Sequence, residues 1–407
     1  MQESSPDENE EILRKRLDDF LTRSEDELID FRRALHMHPE LGFAEHRTTA
    51  RIAEALTGGG LRPVGLPKGT GLICDIGSGA GPAVALRADI DALPVTDEKD
   101  VPYRSRLRGA CHACGHDVHT AILLGTGLFL AQWADAGLLP GRVRLVFQPA
   151  EEGLAGGAGE VIDAGGLASV GRIFALHCDP RLPVGEFGLR AGPVTAACDK
   201  VRVRVGGPGG HTARPHLTAD LVYALGKVLT ELPAALSRRV DPRAGLSLVW
   251  GRVAAGSVAI AIPDDGVAEG TVRCLDGGLW HTVPDLMEAL LDTVARAYDV
   301  KTELTYERGT PPTVNEETSV ELFRTAARTV LGEDGVVDTP QSLGGEDFGY
   351  YLESVPGALG RLGVRRFDRA DEYDLHVGAF DVDERCIALG VRLMVTTALK
   401  AVQAPTA

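Results

Sequence analysis

The stretch GLICDIGSGAGPAVALRADID, residues 71–91, decides the fold class of this chain. It contains two short apolar runs, each of strand length, on either side of a turn rich in Gly and Pro. Two similar runs, RVRLVFQ (142–148) and RIFALHC (172–178), follow a helical stretch at 118–136. Because apolar strands alternate with helices, we predict an α/β/α sandwich with buried central strands.

A second pattern begins with DKVRVRVGG, residues 199–207. Apolar and polar residues alternate in this segment, as they do in a strand with one buried face. Two predicted helices, at 219–236 and 282–298, are combined with further strands in the order β-α-β-β-α-β. This order is the ferredoxin-like arrangement, which predicts a separate and smaller α+β domain.

The first pattern returns after the second, with a helix predicted at 317–331. We therefore expect two domains, which is also the natural number for a chain of this length. Residues 1–197 and 311–407 would form the α/β domain, and residues 198–310 would form the α+β domain inserted into it.

The composition excludes several classes of function. Of the 407 residues, 44% are hydrophobic and 25% are charged, as in ordinary globular proteins. The formal net charge of -16 and the pI of about 5.2 oppose non-specific binding to nucleic acid or to anionic lipid. We therefore expect neither nucleic acid nor a membrane as a partner.

The sequence also indicates a location. The longest apolar stretches, such as residues 121–133, are shorter than the roughly 20 residues that span a bilayer. The N-terminal sequence MQESSPDENEE is acidic, whereas a secretory signal has basic residues followed by an apolar run. The seven cysteines are an odd number scattered along the chain, which does not indicate a disulfide framework. We expect a cytoplasmic protein whose thiols are free or bind metal.

Side chains that can bind a metal ion occur in five short segments. The segments are Arg87-Ala-Asp89-Ile-Asp91, His112-Ala-Cys114-Gly-His116-Asp117-Val-His119, Glu151-Glu152, His177-Cys178 and His376. All but the last follow or cap a predicted strand of the large domain, and the carboxyl ends of parallel strands meet at one edge of a sheet. Imidazole, thiolate and carboxylate groups are the ligands of zinc-like ions, so we predict a metal site at this edge.

Each segment alone has an ordinary structural explanation. A single histidine such as His177 is more often a hydrogen-bonded core residue, and a pair such as Glu151-Glu152 is more often a solvated surface pair. The convergence of five segments favours the metal site. The two glutamates directly follow an apolar strand, so one can bind metal while its neighbour accepts a proton from a metal-bound water.

Six motifs, in order along the chain, resemble a known family. They are ALRADIDALP (85–94), HACGHDVHTA (112–121), FQPAEEG (147–153), GGHTARPH (209–216), GTVR (270–273) and GGEDFGYY (344–351). The chain resembles the branch of the zinc aminoacylase and carboxypeptidase family that contains hippurate hydrolases, N-acyl-amino-acid amidohydrolases and plant auxin-conjugate hydrolases. The resemblance extends from about Phe31 to Asp383. It implies a metallo-hydrolase in which the large domain is catalytic and the inserted domain serves as a lid or for dimerisation.

The resemblance also implies roles for individual residues. Two divalent metal ions would be bound by five ligands, which are Cys114, His116, Glu152, His177 and His376. Glu151 would be the general base. The wider family has His-x-Asp where this chain has Asp89-Ile-Asp91, so Asp91 would orient the site. The thiolate ligand favours zinc, and manganese, cobalt and nickel also suit such a site.

Three residues of the inserted domain are assigned to substrate and transition state by the same resemblance. His211 would stabilise the oxyanion, in some relatives from the partner subunit, although a loop histidine is the plain alternative. Arg273 would bind a substrate carboxylate, although a strand-end arginine is usually a surface charge. Ile260 stands where relatives have the Asn of an Asn-Val-Ile-Pro segment, so an amide donor is missing. We expect a less polar pocket, and a substrate that lacks a free α-carboxylate or places it differently.

The sequence therefore predicts an enzyme that hydrolyses the amide bond of an N-acyl amino acid. The alternative is the same metal site acting on a carbamoyl, dipeptide or specialised-metabolite amide. A non-enzymatic binding protein would be expected to lose metal ligands, and here the ligand set and the general base are intact. The expected partners are a small amide substrate and further copies of the chain, in a homodimer or a higher homo-oligomer.

Overall fold

The computed structural model describes residues 6–79, 81–153, 156–367 and 373–404. In the described parts, the helices are α1 (Pro6–Met37), α2 (His46–Gly58), α3 (His116–Asp135), α4 (Ala158–Asp163), α5 (Leu221–Ser237), α6 (Gly277–Arg296), α7 (Glu317–Leu331), α8 (Gly349–Leu352) and α9 (Arg385–Gln403). The strands are β1 (Val64–Gly65), β2 (Leu72–Gly77), β3 (Ala83–Asp89), β4 (Arg142–Gln148), β5 (Val170–Pro183), β6 (Phe187–Leu189), β7 (Gly192–Thr195), β8 (Ala197–Gly206), β9 (Gly210–His211), β10 (Ser247–Ala255), β11 (Ala261–Ile262), β12 (Asp265–Cys274), β13 (Lys301–Thr310), β14 (Thr313–Asn315), β15 (Val336–Asp338) and β16 (Gly357–Arg365).

The chain divides into two compact units. The first contains the residues up to Gly192, Asn315–Pro340 and the residues from Tyr350 onward, and the second contains Pro193–Val314 and Gln341–Gly349. Our predicted insertion, residues 198–310, did not include residues 341–349. Those residues join the second unit through backbone hydrogen bonds, such as Ser342 N–H to the Val194 carbonyl at 2.8 Å. These hydrogen bonds join residues that are far apart in the sequence, so no local sequence pattern predicts them.

The first unit is built on an eight-stranded mixed sheet in the order β1-β2-β4-β3-β5-β16-β6-β15. The neighbours of β3 pair with it in parallel, and so do β5 with β16 and β6 with β15. Strand β2 pairs antiparallel with both β1 and β4, and β16 pairs antiparallel with β6. All residues of β3 are buried, which explains why its first four residues, Ala83–Leu86, are continuously apolar rather than alternating.

The carboxyl ends of the central strands define the edge where chemistry was predicted. β3 ends at Asp89 and β4 ends at Gln148. The parallel pairing of β3 with β5 stops at Arg87 opposite Ala175. His177, two residues further along β5, is therefore level with Asp89, the last residue of β3.

Helix α3 lies in the core of the first unit and is buried on nearly all sides. Close packing requires small residues at its contacts. A Cβ atom at Gly127 would lie 2.4 Å from Leu145 Cδ1 of β4, and one at Gly390 of α9 would lie 2.4 Å from Ile122 Cδ1 of α3. Any larger side chain at either glycine would push α3 away from its neighbours.

Helix α9 is long and apolar enough to cross a membrane by length and composition alone. However, 67% of its most apolar window is buried inside the protein. Its buried residues, among them Ile387 and Val391, belong to the hydrophobic core of the first unit. This burial is typical of the core helix of a globular fold.

The second unit contains an antiparallel sheet in the order β10-β12-β8-β13. Alternate residues of β8, such as Val201 and Val203, are buried in a cluster with apolar residues of α5 and α6, whereas Arg202 and Arg204 are exposed. This alternation is the pattern that predicted the strand. With its β-α-β-β-α-β order, the unit confirms the predicted ferredoxin-like insertion in an α/β protein.

Candidate metal centre

Five segments of the first unit meet at the carboxyl edge of its sheet. They contain Asp89–Asp91, Cys114–His116, Glu151–Glu152, His177 and His376. These segments come from the loops after β3 and β4, from the start of α3, from β5 and from the loop before α9. The structure therefore brings together all of the predicted metal ligands, whose roles as ligands stay a prediction.

Cys114 lies at the centre of this cluster. Its Sγ atom is 3.5 Å from His177 Nε2 and 3.4 Å from His376 Nε2. Glu152 Oε1 lies 3.4 Å from the same His376 nitrogen and 3.8 Å from Nε2 of His116. Sulfur, nitrogen and oxygen atoms of four different segments thus converge without intervening side chains.

Within the described residues of the first unit, four sets of three potential ligand atoms lie within 4.8 Å of one another. The sets are Cys114, His116 and His177; Cys114, Glu152 and His376; His116, Glu151 and Glu152; and Asp89, His116 and His119. Cys114 belongs to the first two sets, which together contain all five predicted ligands. Two neighbouring ions that share the thiolate would use this arrangement fully.

The cluster contains polar atoms that lack the hydrogen bonds expected of buried groups. Nε2 of His116 and Oε1 of Glu152 are both buried and have no hydrogen-bond partner. A buried carboxylate oxygen without a donor is unfavourable unless a cation binds it. Cysteine sulfur, histidine nitrogen and glutamate oxygen are also the ligands that zinc-like ions bind. The residues therefore fit divalent metal ions.

The histidine tautomers leave the correct nitrogen free. His116 donates from Nδ1 to the Asp91 carbonyl at 3.0 Å, and the Asp91 carboxylate lies 3.2 Å from the same nitrogen. His177 donates from Nδ1 to the carbonyl of Cys178 at 2.8 Å. In both residues Nδ1 is engaged and the Nε2 atom points into the cluster, which is how a hydrogen-bond partner orients a metal-binding histidine.

Asp91 contacts two of the predicted ligands, and its orienting role stays a prediction. Besides its contact with His116, its Oδ2 atom accepts a hydrogen bond from the backbone N–H of Glu152 at 3.0 Å. One carboxylate thus holds a predicted ligand from α3 and another from the loop after β4.

His119 lies in one of the four sets, but it cannot bind metal in this tautomer. Its Nδ1 donates to Asp89 Oδ1 at 2.6 Å, and its Nε2 accepts from the backbone N–H of Cys178 at 2.8 Å. Arg87 Nη1 pairs with the other oxygen of Asp89 at 2.7 Å. These residues form a buried support behind the cluster, and they leave Asp89 less available than Asp91 to the predicted ligands.

The electrostatic environment of the cluster favours a cation. Burial, with a contribution from Glu152, raises the pKa of the Cys114 thiol well above its usual value. Burial, followed by the charge of Arg361, lowers the pKa of His177 well below its usual value. Burial opposes charge on His116, but Asp89 and other neighbours outweigh it and raise the pKa of that imidazole. A bound divalent ion would displace the thiol proton and use the neutral His177 as a ligand.

The turn that carries Glu151 has a strained backbone. Ala150 adopts a φ of 52°, in the left-handed region that residues with a Cβ rarely occupy. Its N–H donates to Glu45 Oε1 at 2.8 Å, and a Cβ at Gly42 would lie only 3.1 Å from the Ala150 Cβ. The segment before α2 thus fixes the turn, and Glu151 is held buried beside Glu152.

His376 is also fixed by its backbone. It has a φ of 66°, and its N–H donates to the Ala113 carbonyl at 2.8 Å. The imidazole remains 55% exposed, so His376 lies at the rim of the cluster while Cys114 and His116 lie deeper.

A buried charge network, which the sequence did not reveal, anchors the start of α3. Asp117 directly follows the predicted ligand His116, forms an ion pair with Arg32 Nε at 2.7 Å and accepts a hydrogen bond from His36 Nδ1 at 2.7 Å. Both partners come from α1. Burial opposes ionisation of Asp117, but Arg32 and His36 outweigh it and lower the pKa of its carboxyl group. The ionised carboxylate thus ties α1 to the metal-site end of α3.

The second unit contains the other predicted residues. His211 in β9 pairs with Ala261 of β11, and its Nδ1 accepts from the Ala213 N–H at 3.0 Å. Ile260, which is 72% exposed, precedes β11, and its carbonyl accepts a hydrogen bond from Thr212. The structure therefore brings His211 and Ile260 together on one two-stranded ribbon. Their roles stay predictions.

Arg273 lies at the end of β12, away from that ribbon in the sequence. Its Nη1 donates to the Leu343 carbonyl at 3.0 Å, so one of its donors serves the fold of the second unit. Its binding of a substrate carboxylate stays a prediction.

Comparison with known proteins identifies a family. The family model of Peptidase family M20/M25/M40 matches residues 85–400 of this chain. The N-acetyl-L-cysteine deacetylase of Bacillus subtilis is 40% identical over 370 residues, which are 90% of this chain and 86% of that protein. A protein of Rhodococcus jostii named "Putative glutamate--cysteine ligase 2-3" is 47% identical over 91% of this chain, which spans about half the length of that relative, 46%.

A solved structure of the same family is also similar to this chain. The crystal structure of the YXEP protein of Bacillus subtilis, a dinuclear metal-binding peptidase, is similar to this chain with a TM-score of 0.80 and 32% sequence identity. The similarity covers 94% of this chain and 99% of that one.

Proposed function

Because the chain belongs to peptidase family M20/M25/M40, a family of metal-dependent hydrolases, we propose that it cleaves the amide bond of an N-acyl amino acid. The observation that carries this proposal is the buried Cys114 cluster with Glu151 held beside Glu152. The similar protein of Bacillus subtilis, which is named for the deacetylation of N-acetyl-L-cysteine, supports the substrate class.

We propose Cys114, His116, Glu152, His177 and His376 as the ligands of two zinc ions. Bound there, the ions would polarise the scissile carbonyl and lower the pKa of the attacking water. Zinc is our choice because the shared ligand is a thiolate, which is a soft donor.

The remaining steps belong to the protein. Glu151 takes the proton of the attacking water and later delivers a proton to the leaving amine. Asp91 keeps His116 and the backbone of Glu152 in place during these steps. His211 would offset the charge that develops on the carbonyl oxygen.

We also propose that the protein acts in the cytoplasm as a homodimer or a higher homo-oligomer. The support comes from the seven free cysteines, which are typical of a reducing compartment, and from the second unit. Among the described strands, β10 has one sheet neighbour, β12, and it exposes Val249 and Val253. An edge strand with exposed apolar residues is suited to pair with another copy.

The function is tested by amine release from a panel of substrates. The panel contains N-acetyl, N-benzoyl and long-chain N-acyl amino acids, their amides, and dipeptides, with protein reloaded with zinc or manganese. We expect turnover of at least one carboxylated N-acyl amino acid, and we expect a chelator to abolish it. A metal-loaded protein that hydrolyses only dipeptides or amides would instead support the alternative substrate class.

Ile260 is the observation that keeps this alternative open. An isoleucine offers no hydrogen bond where relatives have an amide donor, and a missing donor weakens binding of its group by about 1–3 kcal/mol. Ile260→Asn is therefore expected to raise the rate on carboxylated substrates relative to their amides by roughly 10-fold. The effect is measured as the ratio of kcat/KM for the carboxylated substrate to kcat/KM for its amide. Ile262→Asn is not a suitable control, because Ile262 is buried and an asparagine there would disturb the fold. Unchanged relative rates would show that position 260 does not contact the substrate.

A further inference from the structure

We propose that Arg361 forms an anion site beside His177, which binds a carboxylate of the substrate. This inference rests on the proposed amidohydrolase function and makes its substrate class more specific. It assigns the recognition of a carboxylate to the first unit, on the strand next to a predicted metal ligand.

The position of Arg361 follows from the register of the central sheet. Arg361 lies on β16, directly opposite His177 of β5 in the parallel pair and opposite Gly188 of β6 in the antiparallel pair. Neighbouring strands are about 4.8 Å apart, and residues in register extend their side chains on the same face of a sheet. Arg361 and His177 are therefore immediate neighbours on the face where His177 meets Cys114.

Arg361 is buried without a partner. Only 9% of the residue is exposed. Within the described parts of the chain, no acceptor lies within hydrogen-bond distance of its guanidinium group and no carboxylate lies within 4.0 Å. The nearby carboxylate of Asp179 already pairs with Arg181 at 2.6 Å. A buried charge without a close counter-ion is strongly unfavourable, so an anionic ligand beside Arg361 would be stabilised.

Other buried arginines of the same unit show the usual arrangement. Arg32 pairs with Asp117, and Arg87 pairs with Asp89, each at 2.7 Å. These arginines stabilise the fold around the metal centre. Arg361 differs because no carboxylate of the described residues lies within 4.0 Å of its guanidinium group.

The space next to Arg361 contains a second unused donor. Gly188 has no side chain, and a Cβ built there would lie 3.4 Å from Arg361 Cβ and 3.0 Å from Thr339 Cβ. Thr339 is buried, and its Oγ1 has no hydrogen-bond partner. The side chains of Arg361 and Thr339 therefore start on either side of Gly188, beside Leu182 Cδ1, on the same face of the sheet. Such a pair can bind the two oxygens of a carboxylate.

The chemistry of the ligand follows from this pair of donors. The site selects a carboxylate a few ångströms from the scissile amide, which is either the α-carboxylate of the amino acid or a carboxylate of an acidic acyl group. In either case, the guanidinium group of Arg361 would supply a hydrogen-bond donor in place of the amide that is absent at Ile260.

Substrate pairs that differ only in a carboxylate test this inference. An N-acetyl amino acid is compared with its α-amide, and an N-succinyl amino acid amide is compared with its N-butanoyl counterpart. Arg361→Met should lower kcat/KM about 10- to 100-fold for the carboxylated member of one pair, mainly through KM, and less than 2-fold for its neutral partner. Arg361→Lys should recover part of the loss, because it keeps the charge but not the bidentate geometry. The pair that responds identifies the source of the carboxylate.

A matched control is Arg328→Met, which removes an exposed arginine of α7 that pairs with Glu333. It should leave all four rates unchanged. Metal content, measured by mass spectrometry, should equal that of the wild type in all three variants. Equal losses on charged and neutral substrates in Arg361→Met would overturn the inference and assign Arg361 a purely structural role.

Direct binding separates this inference from the proposed function. Isothermal titration of the metal-loaded protein with glutarate and with glutaramide should show tighter binding of glutarate, and Arg361→Met should abolish the difference. If the wild type releases no amine from any substrate, the proposed function fails, but the titration still decides on the anion site. Equal glutarate affinity in wild type and Arg361→Met would refute it.

Discussion

Glu151→Gln should lower kcat by about 10²- to 10⁴-fold, the usual contribution of a general base, while the metal content stays at the wild-type level. An amide has nearly the same size as the carboxylate but cannot take the proton of the attacking water. The turn should keep its shape, because the Ala150 N–H bond to Glu45 remains. Steady-state kinetics and metal analysis of the same sample measure both parts of the prediction.

The neighbouring glutamate provides the control. Glu152→Gln should reduce the metal content together with the activity, because its carboxylate lies 3.4 Å from His376 Nε2 and 3.8 Å from His116 Nε2. If instead Glu151→Gln loses metal and Glu152→Gln keeps it, the roles of the two residues must be exchanged.

Cys114→Ser should remove both metal ions with a single substitution. The Sγ atom belongs to two sets of ligands, one with His116 and His177 and the other with Glu152 and His376. A serine hydroxyl is a hard donor that stays protonated near neutral pH, so it cannot replace a shared thiolate. We expect fewer than one ion per chain after equilibrium dialysis, and a loss of activity of at least about 100-fold, since metal activation of water contributes several kcal/mol.

His376→Ala is the matched comparison, because His376 belongs to only one of these sets and lies at the exposed rim. It should lose one ion and keep the other. Retention of two ions by Cys114→Ser would show that the thiol is not the shared ligand.

The sequence predicted those features that are encoded locally. The apolar runs before Asp89 and Glu151 identified the strands β3 and β4, because strands buried on both faces are rich in consecutive apolar residues. The short spacing of Cys114 and His116 placed two ligands at the start of α3. The alternation in β8 indicated the ferredoxin-like unit, whose antiparallel sheet the structure confirms.

Features that depend on distant contacts could not be predicted in this way. His376 comes from a loop without a local pattern, and it joins a cysteine 262 residues earlier in the chain. Glu45 acts on a turn 105 residues away. Arg361 resembles any polar residue in an otherwise apolar strand, and only the assembled sheet shows that no carboxylate of the described residues lies within 4.0 Å of it.

The strained backbone at the metal centre matters for attempts to make the protein more heat-resistant. Among the described residues, six that are not glycine have positive φ values, and Ala150 and His376 are two of them. Glycine at Ala150 would relieve strain of about 1 kcal/mol but would loosen the turn before Glu151. Engineers should therefore leave both positions unchanged and begin with Ser169 and Asp299, which adopt the same backbone conformation outside the centre. Glycine or asparagine at those two sites offers tolerance to heat without altering the geometry on which turnover depends.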